Sequence, residues 1–169
     1  SFLYREPELA HMLLKKITIS TIEYLKLQIK AGVDMVQIFD SWAGILSPEY
    51  YNEFGMKYVH KICDEINQVP LTVFSKGAFF ALESMNNLNC NTIGLDWTMD
   101  IDQAINLFDN TKTLQGNLDP CVLYGDFNLI EKKTKEMLNN FAGYRHIANL
   151  GHGVYPDTNP EKVKCFIES

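Results

Sequence analysis

Apolar and polar positions along the chain follow two rhythms. Residues 7 to 16 and 18 to 31 carry apolar side chains at helical spacing, for example Ile22, Leu25 and Ile29, and the second run ends at Ala31-Gly32. They predict two helices. "DMVQIFDS" breaks that spacing with a short apolar run rich in β-formers. Ser47-Pro48-Glu49 follows, an N-cap with proline in the first turn and an acid suited to the positive end of the helix dipole. The helix it opens should run to about Asn67 and present Tyr51, Phe54, Tyr58, Ile62 and Ile66 on one face.

The strand-then-helix pattern recurs four more times. "LTVFS" precedes a predicted helix around 78 to 88, and "NTIGLD" precedes one starting at Asp100, with Gln103 at capping-box spacing. "TLQGN" precedes a helix opened by Asn128 with Glu131 at the same offset, and "HIANLG" precedes one begun by Asn159-Pro160-Glu161. Strands that are apolar nearly throughout and alternate with helices predict a parallel sheet covered by helices.

Two architectures compete, an open doubly wound sheet and a closed barrel. The open sheet usually carries a G-x-G-x-x-G turn after its first strand, and none is present. Polar residues stand instead at the end of every strand: Asp40-Ser41, Ser75-Lys76, Asp96, Gln115-Asn117 and Asn149-His152. Barrel active sites are built from strand ends on one rim. The expected fold class is therefore α/β, a (β/α)8 TIM barrel of which this chain supplies about the last five βα units. Such barrels usually need about 250 residues, against 169 here. Residues 1–169 are expected to be the C-terminal part of a single barrel domain, with unpaired strand edges and little stability alone.

Charge and composition narrow the function. The formal net charge is -6 and the chain has two arginines, Arg5 and Arg145. The main lysine cluster, "EKKTKE", is broken by glutamates and reads as a solvated helix face. A nucleic-acid partner is not expected, because no basic stripe with interleaved aromatics occurs. Nor is a membrane partner, since no run of about eighteen apolar residues exists, and the first residues lack a secretory pattern. Cys63, Cys90, Cys121 and Cys165 lie far apart without a C-x-x-C pair, as small hydrophobes do in a reducing compartment. The cytoplasm is the expected location, with the plastid as the alternative in a plastid-bearing source.

One short stretch calls for its own explanation. In "ANLGHGVYPDT", His152 sits between two glycines where a strand should end. Glycine on each side allows a positive φ or the close approach of a ligand. The alternative is a turn histidine facing water.

Together, "QIFDSWAGILSPEYYNEF", "GLDWTMD", "LQGNLDP" and "ANLGHGVYPDTNPEKV" resemble the uroporphyrinogen decarboxylase family, from about Leu3 to the end of the chain. The resemblance implies a barrel enzyme, a carboxy-lyase that removes carbon dioxide from the four acetate side chains of uroporphyrinogen III to give coproporphyrinogen III. It implies no metal or organic cofactor, and a homodimer with facing clefts. An acetate on a pyrrole has no electron sink until a ring carbon is protonated, so a general acid and a pre-organised anion site are what such a protein must supply.

The resemblance assigns three substrate-binding residues: Ser41 to a substrate carboxylate, Phe39 to the apolar wall of the cleft, and His152 to a propionate or acetate group. Each has a structural alternative. Ser41 can cap local backbone groups, and on spacing alone Phe39 reads as core. Asp96 reads as a structural acceptor at the rim, while Gly116 and Asn117 shape the cleft floor. Lys76 can bind a carboxylate or stay solvated. Asp40, His11, His60 and His146 read as structural.

The catalytic residues are unknown from this chain. The family's "R-Q-A-G-R" arginines, its central aspartate and the tyrosine of "Y-x-x-E-G" have no counterpart in it and are expected upstream. Charge agrees, because a substrate with eight carboxylates needs concentrated positive charge. These residues alone are expected to be inert. Two rivals stand beside this reading. A zinc-dependent corrinoid methyltransferase of the same fold needs a His-x-Cys pair at a strand end, where this chain has "FSKGA". A non-catalytic tetrapyrrole-binding fragment is the other.

Overall fold

The computed structural model describes Ser1–Ser169. Five strands alternate with helices, and the hydrogen-bonded strand order follows the chain order. The fold class is α/β, with five successive βα units of the barrel type. Two compact units divide the chain, Ser1–Thr92 and Ile93–Ser169.

The first unit opens with α1 (Phe2–Arg5) and α2 (Pro7–Lys30). Where sequence spacing predicts two helices, α2 is a single helix of 24 residues. The β-branched run at its centre is accommodated because Thr18 and Thr21 donate their hydroxyls to the carbonyls of Leu14 and Ile17, at 2.7 and 2.9 Å. Their polar groups are thus satisfied within the helix. Strand β1 (Val36–Asp40) leads to α3 (Pro48–Tyr51), a π turn at Asn52–Met56, and α4 (Lys57–Glu65). Ser47 caps α3 as expected, accepting the Tyr50 N–H. All five residues predicted on this helical face, from Tyr51 to Ile66, are buried.

Strand β2 (Leu71–Ser75) pairs in parallel with β1, from Val36 opposite Leu71 to Asp40 opposite Ser75. A 3-10 turn at Phe79–Ala81 and the short α5 (Leu82–Asn86) occupy the place of the predicted 78 to 88 helix. His11 is structural, as expected: its ring stacks on Phe54 at 4.5 Å and meets the Tyr58 hydroxyl at 2.7 Å.

The second unit holds most of β3 (Thr92–Gly94), then α6 (Ile101–Phe108), β4 (Thr113–Leu118), α7 (Phe127–Asn140), β5 (His146–Leu150) and α8 (Pro160–Glu168). Asp100 and Asn159 cap α6 and α8 as the sequence predicts. Helix α7 starts earlier than expected. Asp126, not Asn128, accepts the Leu129 N–H at 2.8 Å, because the chain is still extended at Asp126 and already helical at Phe127. The lysine cluster lies on α7, exposed and paired with Glu131 and Glu136, as a solvated face; each such pair contributes about 0–1 kcal/mol. Cys63 and Cys90 are buried, Cys121 is exposed and Cys165 half-buried, all free. No helix is long and apolar enough to cross a membrane.

Strands β4 and β5 pair in parallel, with Leu114 opposite His146 and Leu118 opposite Leu150. The His146 ring stacks on Phe141 at 3.8 Å and an interplanar angle of 9°. Its Nε2 donates to the Gly116 carbonyl at 2.6 Å. Burial holds the imidazole below its ordinary range, against the opposing pull of that hydrogen bond. The unfolded chain therefore takes up a proton more readily than the folded one. The contribution of neutral His146 is present above the unfolded pKa of about 6.5 and is lost as the pH falls below it through the lower folded value. Thermal unfolding of the full-length protein should show a midpoint that drops between pH 7.5 and 5.5. His146→Gln, which keeps a donor for Gly116, should flatten that slope; an unchanged slope would contradict this role.

Candidate active site at the carboxyl ends of the strands

In the first unit, side-chain alternation splits the end of each strand. Asp40 and Ser75 are cross-strand partners on the side that faces the helices. The Tyr51 phenol, buried on α3, is hydrogen-bonded to Ser75 Oγ at 2.8 Å and donates its proton to Asp40. Burial is the main reason the Asp40 carboxyl sits above the usual carboxylate range, with the Tyr51 hydroxyl and the Trp42 N–H pulling it back. Burial and the adjacent Asp40 likewise push the Tyr51 phenol up. The structural reading of Asp40 therefore fits its geometry.

Phe39 points the other way. It is 68% exposed, touching Phe74 edge-on at 6.0 Å, so it is not the core residue that spacing alone suggests. An apolar strand position reads as core only where both faces are covered, and this face of β1 is open. Ser41 follows directly and is exposed. The loops after β1 and β2 are joined by backbone: Gly44 N–H donates to the Lys76 carbonyl at 2.9 Å. A Cβ on Gly44 would stand 2.7 Å from the Gly77 oxygen.

In the second unit, Asp96 is fully buried and accepts the N–H and hydroxyl of Thr98 at 2.7 and 2.5 Å. It shapes the turn after β3, as its structural reading anticipates. Asn117 does more than line a floor: its Nδ2 donates to the carbonyls of Asp96 and Met99, both at 3.0 Å. Gly116, with φ +134, is needed because a Cβ there would lie 2.5 Å from the Leu95 carbonyl oxygen.

His152 is half-buried just past β5, its ring edge-on to Trp97 at 6.2 Å and 89°. At Gly151 the reason differs from the one expected. Neither flanking glycine has a positive φ. Gly151 is where the backbone passes over the Asp96–Trp97 peptide, and a Cβ would stand 3.0 Å from the Asp96 carbonyl carbon. Around Gly153 nothing lies within 4 Å of such an atom. Trp97 escaped the sequence reading; its only signal was its place beside Asp96 in "GLDW".

In each unit, parallel strands with polar groups at their carboxyl ends define an α/β protein of βα units with candidate residues at those ends. Comparison with known proteins carries this further. The family described as uroporphyrinogen decarboxylase (URO-D) matches residues 1–169. The uroporphyrinogen decarboxylase of Schizosaccharomyces pombe is 45% identical over 99% of this chain and 50% of its own length. That of Colwellia psychrerythraea is 43% identical, with 99% of this chain and 49% of its own length covered. The chain belongs to the uroporphyrinogen decarboxylase family, and it spans about half the length of these curated relatives. A methyltransferase from Methanosarcina mazei shares the fold, with a TM-score of 0.87 at 21% identity over 99% of this chain and 50% of that one.

The two glycines beside His152 give a direct check on local packing. Gly151→Ala should destabilise the full-length protein by about 1–3 kcal/mol through overpacking against backbone that has nowhere to move. Gly153→Ala, which enters open space, should stay within about 0.5 kcal/mol of wild type. Urea unfolding measures both, and equal costs would contradict the packing role of Gly151.

Proposed function

We propose that this chain is the C-terminal part of a single barrel domain in a uroporphyrinogen decarboxylase, which converts uroporphyrinogen III to coproporphyrinogen III. The observation that carries the reading is the family match across all 169 residues. The rim geometry supports it, because an exposed aromatic, a free-standing serine and an imidazole stand at the strand ends where this fold places its chemistry.

In this reading Phe39 lies against the apolar face of the macrocycle. The Ser41 hydroxyl donates to a substrate carboxylate, and the His152 imidazole meets the acidic edge of the ring, held by Trp97. The net charge of -6 and two arginines cannot neutralise eight carboxylates, so the remaining positive charge comes from the rest of the protein. So do the general acid that protonates a pyrrole carbon and the groups that hold the departing carboxylate. A homodimer and a reducing compartment, with the cytoplasm favoured, belong to the same proposal; the four free cysteines support the compartment. The methyltransferase likeness rests on fold alone, and the β2 end, Ser75-Lys76-Gly77, offers no soft metal ligand.

The test is an anaerobic incubation of the full-length protein with uroporphyrinogen III and a chelator, with the oxidised products separated and read by porphyrin fluorescence. Loss of the eight-carboxyl species and growth of the four-carboxyl product are expected. Ser41→Ala and His152→Ala should each lower kcat/KM by about 10–100-fold, the cost of a lost hydrogen bond to a charged group. An unchanged substrate peak would overturn the reading.

A further inference from the structure

Gly151 and Gly153 leave the backbone on both sides of His152 freer than any other residue would. On the N-terminal side the position is fixed: Gly151 N–H donates to the Leu118 carbonyl at 2.7 Å, and the glycine packs against Asp96 and Trp97. On the C-terminal side a Cβ on Gly153 would find nothing within 4 Å, and the chain is tied again at Tyr155 and Asp157.

Those residues are held by the 3-10 turn Pro120–Tyr124 that follows β4. The Tyr124 hydroxyl donates to Asp157 Oδ1 at 2.5 Å. The rings of Tyr124 and Tyr155 lie 6.0 Å apart, and the Tyr155 hydroxyl stands 4.0 Å from Cys121 Sγ. The turn itself is pinned by Asp119, which accepts the Cys121 N–H at 2.8 Å. Farther along, Lys162 Nζ donates to the Gly125 carbonyl at 2.8 Å and sits 3.8 Å over the Phe127 ring.

Two segments after neighbouring strands are therefore joined along their length. The joining side chains are open to water, Tyr124 at 53% and Tyr155 at 43% exposure. Contacts between charged and polar groups this exposed add little to stability, so core packing does not account for them. The hydrogen bond to Asp157 is the main reason the Tyr124 phenol lies above its ordinary range.

We infer that Tyr124 and Asp157 are positioning residues: their hydrogen bond latches the loop that carries His152 to the turn after β4 and sets where the imidazole stands. The inference rests on the reading of His152 as a substrate-contacting residue. Tyr124→Phe removes the donor and Asp157→Leu removes the acceptor at similar bulk, so one serves if the other fails to fold.

The experiment uses the full-length protein and two readouts. The first is a double-mutant cycle in uroporphyrinogen turnover. Tyr124→Phe should lower kcat/KM at least fivefold in the native background and change it less than twofold in a His152→Ala background. The second is the NMR signal of the His152 imidazole, assigned by its loss in His152→Gln, which should shift or broaden in Tyr124→Phe and in Asp157→Leu. An equal loss of kcat/KM in both backgrounds, or a His152 signal unchanged in both variants, would overturn the latch. If the native protein turns over no uroporphyrinogen, the proposed function fails, and the imidazole signal alone then decides the latch.

Discussion

Each candidate strand end depends on one constraint, the period of two along a parallel strand. Each strand end is forced to divide its last residues between a side that packs on helices and a side that does not. Asp40 and Ser75 take the helix side and are bound there by one phenol, that of Tyr51. With those two anchored, Phe39 has to project from the other side, and Ser41 is carried just beyond the strand. The same division places Asn117 opposite Asn149 in the second unit, one position along from Gly116 and its partner Ala148. A slip of one residue would exchange the two sets, which is why the register is secured by side chains on the helix side.

Close backbone approach is the second organising element. Gly44 against Gly77, Gly116 against Leu95, and Gly151 against Asp96 and Trp97 each bring two chain segments nearer than a Cβ allows. These contacts lie at or just past the strand ends. Within each unit, tightly joined loops fix the polar groups at the strand ends by backbone geometry, the condition for pre-organised electrostatics. Strand burial differs along the chain. β2 is buried at every position, whereas β5 is open at its three central residues. That openness agrees with a chain that spans about half the length of its curated relatives.

Much of the fold was legible in the sequence because it is written in local signals. The five strand-helix repeats, the caps Ser47, Asp100 and Asn159, and the buried face from Tyr51 to Ile66 all follow from spacing and from side-chain chemistry within a few residues. Family motifs carried the rest of the reading, including Ser41, Phe39 and His152. What escaped was non-local. Nothing near Thr18 announces that its hydroxyl will stay inside one continuous helix. The extended backbone at Asp126, which makes it the cap in place of Asn128, depends on where the preceding turn ends. The glycine at 151 looked like room for a ligand because the segment that fills the space, Asp96–Trp97, is more than fifty residues away in sequence. Trp97 and the Tyr124–Asp157 bond were hidden for the same reason.

The central claim of the proposed function is that Phe39, Ser41 and His152 each contact a tetrapyrrole. A crystal structure of the full-length protein with coproporphyrinogen III, grown without oxygen, tests it most directly. The account predicts the macrocycle in van der Waals contact with Phe39, one carboxylate within hydrogen-bond distance of Ser41 Oγ, and another at the His152 imidazole. A macrocycle bound elsewhere, with none of these three residues touching it, would contradict the account.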